Sequence, residues 1–121
     1  MLVIDAANVI GAVPDGWWRD RRGAAIRLHT RLLAAITAGL LPDERVVLVL
    51  EGAARAGVPV RAEGDLEVRH APRDADEEVR RLVAESPGEV RVVTADRRLA
   101  ADCVGAGARV VGPRWLLDRL R

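Results

Sequence analysis

Short, almost wholly apolar runs recur along this chain, and an acid stands at or just beyond the end of each. Leu2-Val3-Ile4 runs into Asp5, Val46-Val47-Leu48-Val49-Leu50 into Glu51, and Val90-Arg91-Val92-Val93 into Thr94-Ala95-Asp96. Apolar runs without polar alternation mark strands buried on both faces, as in parallel sheets. If they lie side by side, their acids emerge on the same edge of one sheet. Open α/β sheets bind ligands there, outside the carboxyl ends of the strands, where the chain order switches sides. Carboxylates gathered at such an edge repel one another unless a cation joins them. Hard cations such as Mg²⁺ and Mn²⁺ take oxygen ligands, so the pattern points to a divalent-metal site.

The stretches between the runs supply the crossovers. From Arg21 to Leu40 the period is helical, with Ala25, Leu28, Leu32 and Ile36 on one face and Arg27 and Arg31 on another, ended by Gly39 and Pro42. Asp74 to Glu85 reads as a helix with Val79, Leu82 and Val83 inward, stopped at Pro87-Gly88. A further helix is expected from about Asp96 to Gly105. A closing helix follows Gly112-Pro113, with Trp115, Leu116, Leu117 and Leu120 free to pack. Leu66, Val68 and His70 alternate with Glu67 and Arg69, as in a more exposed strand, and Arg109-Val110-Val111 reads as the last strand. The segments holding Gly11, Pro14 and Gly16, and Ala53 to Gly64, read as loops, the second with at most a short helix. Strands alternating with helices imply an α/β fold with a doubly wound, Rossmann-like, mostly parallel sheet flanked by helices, in one domain over residues 1–121.

Composition narrows the class. Half of the 121 residues are hydrophobic, enough for a core, and the formal net charge of +1 does not announce a nucleic-acid binder. All 19 basic residues are arginine, whose planar fork suits phosphate, although the Ala-, Gly- and Val-rich bias of the chain accounts for much of that preference. The lone Cys103 excludes an internal disulfide and a cysteine zinc site, and it reads as a small buried hydrophobe. No basic leader precedes a long apolar region, and no stretch approaches membrane-spanning length, so the expectation is a cytoplasmic protein without a membrane partner.

Each acid also has a local explanation. Asp5 suits a turn, Asp74-Ala75-Asp76-Glu77 resembles a capping box, and Thr94 as an N-cap would leave Asp96 in a helix's first turn. Capping alone does not explain why so many strand ends carry an acid.

Here the chain resembles a family. Leu2-Val3-Ile4-Asp5-Ala6-Ala7-Asn8 looks like the opening Asp-x-x-Asn motif of the NYN-domain, PIN-like nucleases, and Val92-Val93-Thr94-Ala95-Asp96 like their closing motif. Asp74-Ala75-Asp76-Glu77 falls where that family has its middle acid, and Glu51-Gly52 resembles its acid–Gly turn. The resemblance implies Mg²⁺- or Mn²⁺-dependent hydrolysis of RNA phosphodiesters. Asp5, Asp76 and Asp96 would hold the metal, with Glu51 and Asp74 as second choices. Asn8 would orient Asp5 or contact phosphate, and Thr94 would donate to phosphate or to water. Two departures stand out: Glu51 replaces the commoner Asp, and Arg80 sits one turn after Asp76, where related members often carry another acid. The implied partner is RNA, single-stranded or structured, with a homodimer left open.

Arginines near the motifs are candidates for substrate phosphate: Arg21 and Arg22 after Trp17-Trp18, and Arg97-Arg98 beside Asp96. Aromatics interleaved with arginine can stack on bases, although at least one of these tryptophans is expected to pack onto the first long helix. His70 reads as a solvated residue at a strand end. Competing functions are an NTP pyrophosphohydrolase on the same metal site, weakened by the lack of a Nudix signature, and a catalytically degenerate RNA- or protein-binding domain, supported by Arg80. A receiver-like phosphoacceptor needs a lysine that this chain does not contain.

Overall fold

The computed structural model describes residues 1–42 and 45–121. Strand β1 (Leu2–Asp5) is followed at once by helix α1 (Ala6–Gly11), a short 3-10 turn at Trp17–Arg19, and the long helix α2 (Arg21–Thr37). Then come β2 (Val46–Leu50), a second 3-10 segment (Gly52–Ala56), and the strands β3 (Arg61–Glu63) and β4 (Leu66–His70). Helix α3 (Ala75–Glu85), β5 (Arg91–Val93), α4 (Arg97–Gly105), β6 (Arg109–Val111) and α5 (Pro113–Arg119) complete the chain.

The strands form one six-stranded sheet in the order β3-β4-β2-β1-β5-β6. Every pairing is parallel except β3 with β4. The chain leaves β1 toward β2 and β4, then returns to the other side of β1 to lay down β5 and β6. The switch point therefore lies between β1 and β5, where Ile4 is in register with Val93. Asp5 is in register with Val49 on its other side, so β1, β2 and β5 end together.

Strand parity builds two cores. Leu2, Ile4, Val46, Leu48 and Leu50 face the layer of α1, α2 and α5, where Val9, Leu28, Leu32, Leu116 and Leu120 cover them. Val3, Val47, Val49 and Val92 face α3 and α4 and meet Val79, Leu82, Val83, Leu99 and Cys103. Burial on both faces is why β1 and β2 contain no polar alternation. Cys103 is buried, as its apolar context implies, and its burial pushes the thiol pKa up. Among the described residues, no helix is long and apolar enough to cross a membrane.

Four local expectations need correction. The segment after β1 is a helix before it is a loop, because Ala6, Val9 and Ile10, at helical spacing, bury one face. Arg61–Glu63 is an antiparallel edge strand, wholly exposed and so without an apolar pattern to reveal it. Helix α2 stops at Thr37, three residues before Leu40, and Gly39 at φ 72° completes the turn away from it. His70 is not freely solvated: it is part-buried, with Nε2 2.7 Å from the Val58 carbonyl oxygen.

Candidate functional site

The three acid-bearing strand ends converge at the switch point, and Asp5 stands at its centre. It is the last residue of β1 and only 1% exposed. Its Oδ2 accepts hydrogen bonds from Asn8 Nδ2 and from Thr94 Oγ1, the latter at 3.0 Å. Its Oδ1 is equally enclosed and accepts no hydrogen bond from the described residues. Burial pushes its pKa up to about 6; the two hydrogen bonds oppose that shift, while the charges of Asp76 and Glu51 add to it.

Asn8 and Thr94 tie the ends of β1 and β5 together. The Asn8 side-chain carbonyl accepts from the Ala95 N–H at 3.2 Å, while its amide donates to Asp5. Thr94, buried, donates its single hydroxyl proton to Asp5 and accepts from the Asp96 N–H at 3.1 Å. The hydroxyl has no second proton to offer phosphate in this arrangement, so Thr94 acts here by positioning Asp5. It is also not the cap of α4. That position belongs to Asp96, whose Oδ1 accepts from the Leu99 N–H at 3.0 Å.

The remaining acids approach from α3 and β2. Asp74 caps α3, accepting from the Glu77 N–H at 3.0 Å, as its capping-box setting suggests. Asp76, in the first turn, has its pKa raised by partial burial and then by the charges of Asp96 and Asp74, with Arg80 opposing. Glu51 Oε2 accepts from the Ala75 N–H at 3.3 Å, which ties the end of β2 to the start of α3. Gly52 beside it has φ 57°, a left-handed conformation that glycine adopts without a Cβ penalty. Glu51, Asp5, Asp76 and Asp96 thus sense one another's charge in sequence across the edge. Among the described residues, however, no three His, Cys, Asp or Glu side chains form a ready-made metal cage.

Arg80 turns its Nε to Asp102 on α4, 2.9 Å away. Its charge still lowers the Asp76 pKa, but its hydrogen bond is made outside the site. The two tryptophans divide as expected. Trp17 packs partly against the core, whereas Trp18 is 55% exposed. Arg21 lies over Trp17, 5.5 Å from the ring centroid. Arg22, Arg97 and Arg98 are exposed. Sequence reasoning missed a cavity of about 340 Å³ beside the acids, walled by α1, the Trp17 turn and the segment after β2. Its one sequence signal is the run of small residues at Gly52-Ala53-Ala54, which leaves room for a void.

The six-stranded, mostly parallel sheet flanked by helices defines an α/β protein of PIN-like fold. No protein-family model matches the chain, and no curated protein matches it significantly. Among solved structures, Rae1 (YacP) from Bacillus subtilis is similar with a TM-score of 0.73 at 22% identity, over 99% of this chain and 72% of that one. A tryptophan-to-leucine mutant of Rae1 is similar with a TM-score of 0.63 at 20% identity, over 98% and 72% of the two chains. At such identity the likeness establishes a shared fold.

Proposed function

We propose that this protein is a ribonuclease that hydrolyses RNA phosphodiesters with a divalent cation held at the β1–β5 edge. The observation that carries the reading is Asp5: a buried carboxylate, oriented through one oxygen by Asn8 and Thr94, with its second oxygen unpartnered. Burying such a group without a cation is unfavourable, and a hard cation accepts just this donor. The fold shared with Rae1, lying under the Asp-x-x-Asn and Thr-x-Asp motifs, supports the same reading.

The donor set fits Mg²⁺ or Mn²⁺, since all the candidates are carboxylate oxygens. Asp5 would hold the ion, with Asp76 and Asp96 drawn in toward it on binding, since these carboxylates do not already form a cage, and with Glu51 and Asp74 at the margin. A bound divalent cation would neutralise charge on the phosphate and lower the pKa of an attacking water. Asn8 and Thr94 hold Asp5 in one orientation, so its free oxygen does not have to reorganise. Arg21, Arg22, Arg97 and Arg98, at the starts of α2 and α4, would suit the flanking phosphates.

The test is hydrolysis of a labelled single-stranded RNA at neutral pH in Mn²⁺, in Mg²⁺ and in EDTA. Cleavage in either metal and none in EDTA is expected. Cleavage that EDTA leaves unchanged, or none with either metal, overturns the reading.

A further inference from the structure

We infer that the cavity beside Glu51 is a nucleobase subsite selective for guanine, which seats the base of a nucleotide adjoining the hydrolysed phosphodiester. The inference rests on the ribonuclease reading for its substrate and on separate geometry for its site. The cavity, about 340 Å³, falls within the range of roughly 300 to 1,000 Å³ typical of small-ligand pockets. It begins at Ala6 and Ala7, the residues directly after Asp5, so whatever occupies it lies against the acidic edge.

Its lining has the composition of a base pocket. Trp17 and the Arg21 guanidinium that lies over its ring both line the cavity, and a base that enters would stack on this arginine–indole pair, a general way of holding an unpaired base. The methyl groups of Ala6, Ala7 and Ala54 make the walls apolar and shallow. The wall beyond Ala54 is fixed by close packing: a Cβ added to Gly57 would lie 2.4 Å from the Arg22 carbonyl oxygen. Two charged side chains line the cavity, Glu51 and Arg21. Arg21 stands over Trp17 and forms no ion pair with the described residues, which leaves its guanidinium for the phosphate attached to the stacked base.

Glu51 decides which base. An ionised carboxylate only accepts hydrogen bonds. Guanine alone among the four bases presents two adjacent N–H donors, N1–H and N2–H, on its Watson–Crick edge, matching the two carboxylate oxygens. Adenine and cytosine place an acceptor nitrogen beside their amino group, and uracil flanks its N–H with two carbonyls. Glu51 Oε2 already accepts from the Ala75 N–H, which holds the side chain in place while each oxygen retains a lone pair. This role gives Glu51 a purpose distinct from metal binding.

Two measurements test the subsite. The first is tryptophan fluorescence of the metal-free protein in EDTA and low salt, titrated with guanosine, adenosine, cytidine and uridine 5′-monophosphates. Guanosine monophosphate should bind about tenfold or more tightly than the others, as a good bidentate contact implies. Glu51→Gln should erase that preference, and Trp17→Phe should keep binding while losing most of the fluorescence change. Ala7→Leu, at an exposed helical position, should fill the cavity and block binding without unfolding the protein. The second is cleavage mapping in Mn²⁺ on RNAs that differ by one guanine, where cuts should move with the guanine at a fixed offset. Equal binding of all four nucleotides, or a guanosine preference untouched by Glu51→Gln and Ala7→Leu, overturns the subsite. RNA cleavage without base preference also overturns it and leaves the nuclease reading standing. Guanosine selectivity without RNA cleavage keeps the subsite and removes the nuclease. If Glu51→Gln instead abolishes stabilisation by Mn²⁺, Glu51 is a metal ligand and the base-reading role falls.

Discussion

Asp5 and Glu78 are both buried carboxylates, 1% and 8% exposed, and the fold treats them in opposite ways. Glu78, in α3, is gripped by the guanidinium of Arg81, with Nε 3.2 Å from Oε2 and Nη2 on Oε1, and Arg69 Nη1 stands 3.5 Å from Oε1. Asp5 receives only the neutral donors of Asn8 and Thr94, both on one oxygen, and the charges of Asp76 and Glu51 act on it. A chain with 19 arginines can place one beside a buried acid, and at Glu78 it places two. A buried charge without a counter-ion disfavours folding. Its place at a sheet switch point, where open α/β sheets bind ligands, is what the proposed metal role would explain and a structural ion pair would not.

The sharpest way to break this comparison is to neutralise each acid in turn. Asp5→Asn keeps an oxygen for Asn8 and Thr94 but removes the charge. RNA hydrolysis should fall by about a hundredfold or more, beyond the 10- to 100-fold typical of residues that only support a metal ligand. Its melting temperature in EDTA should match or exceed that of the parent. Glu78→Gln should do the reverse. Activity should stay within about twofold, and stability should drop by about 1–2 kcal/mol. That is less than for a fully buried broken pair, because Arg69 and Arg81 are 29% and 48% exposed and can turn to water. Should Asp5→Asn melt several degrees lower and keep its activity, Asp5 would be structural like Glu78 and the contrast would vanish.

The proton sharpens the comparison further. Burial pushes the Asp5 pKa up to about 6 in the folded protein from an ordinary 3.8, so the folded state binds its proton more tightly than the unfolded chain. The contribution is therefore stabilising and fully present below about pH 4, and it is lost as pH rises through 6, up to about 3 kcal/mol. Denaturant unfolding in EDTA from pH 4 to 7 should show this decline above the background of the other groups. Asp5→Asn should remove it, whereas Glu78→Gln should not. A parent and an Asp5→Asn profile that run parallel across that window would mean that Asp5 has an ordinary pKa.

How much of this was legible beforehand depends on what left a periodic trace. Strands β1, β2 and β4 were readable because full or alternate burial writes itself into Val, Leu and Ile spacing. The adjacency of β2, β1 and β5, and so the gathering of their acids, follows from that pattern and the crossover helices. Strand β3 left no trace because its three residues are exposed and serve only to pair an edge. Helix α1 was hidden by its length, six residues, and by Gly11, Pro14 and Gly16 close behind. Within the site, the acids were visible as types, but their division of labour was not. That Asp96 caps α4 while Thr94 serves Asp5 depends on which N–H each oxygen meets, a matter of ångströms rather than spacing.

The last contrast concerns the arginines themselves, and its effect is the smallest. Arg69 and Arg81 are held in ion pairs, Arg69 with Glu67 and Glu78 and Arg81 with Glu78 and Glu85, whereas Arg21, Arg22, Arg97 and Arg98 form no ion pair with the described residues. If the second group serves substrate phosphate, its members release counterions when single-stranded RNA binds, and each contact adds about −0.7 to the slope of log affinity against log salt. The double change Arg21→Ala/Arg22→Ala should flatten that slope by about 0.7 to 1.4 while barely moving the melting temperature. Arg81→Ala should lower the melting temperature and leave the slope alone. Binding by anisotropy across a salt series, in Ca²⁺ or EDTA to prevent cleavage, separates the two. A slope unchanged by the Arg21/Arg22 pair would shift the phosphate path to Arg97 and Arg98 at the start of α4. A slope that flattens in Arg81→Ala instead would mean that the ion pair at Glu78 opens to bind RNA, and the division between structural and substrate-facing arginines would not hold.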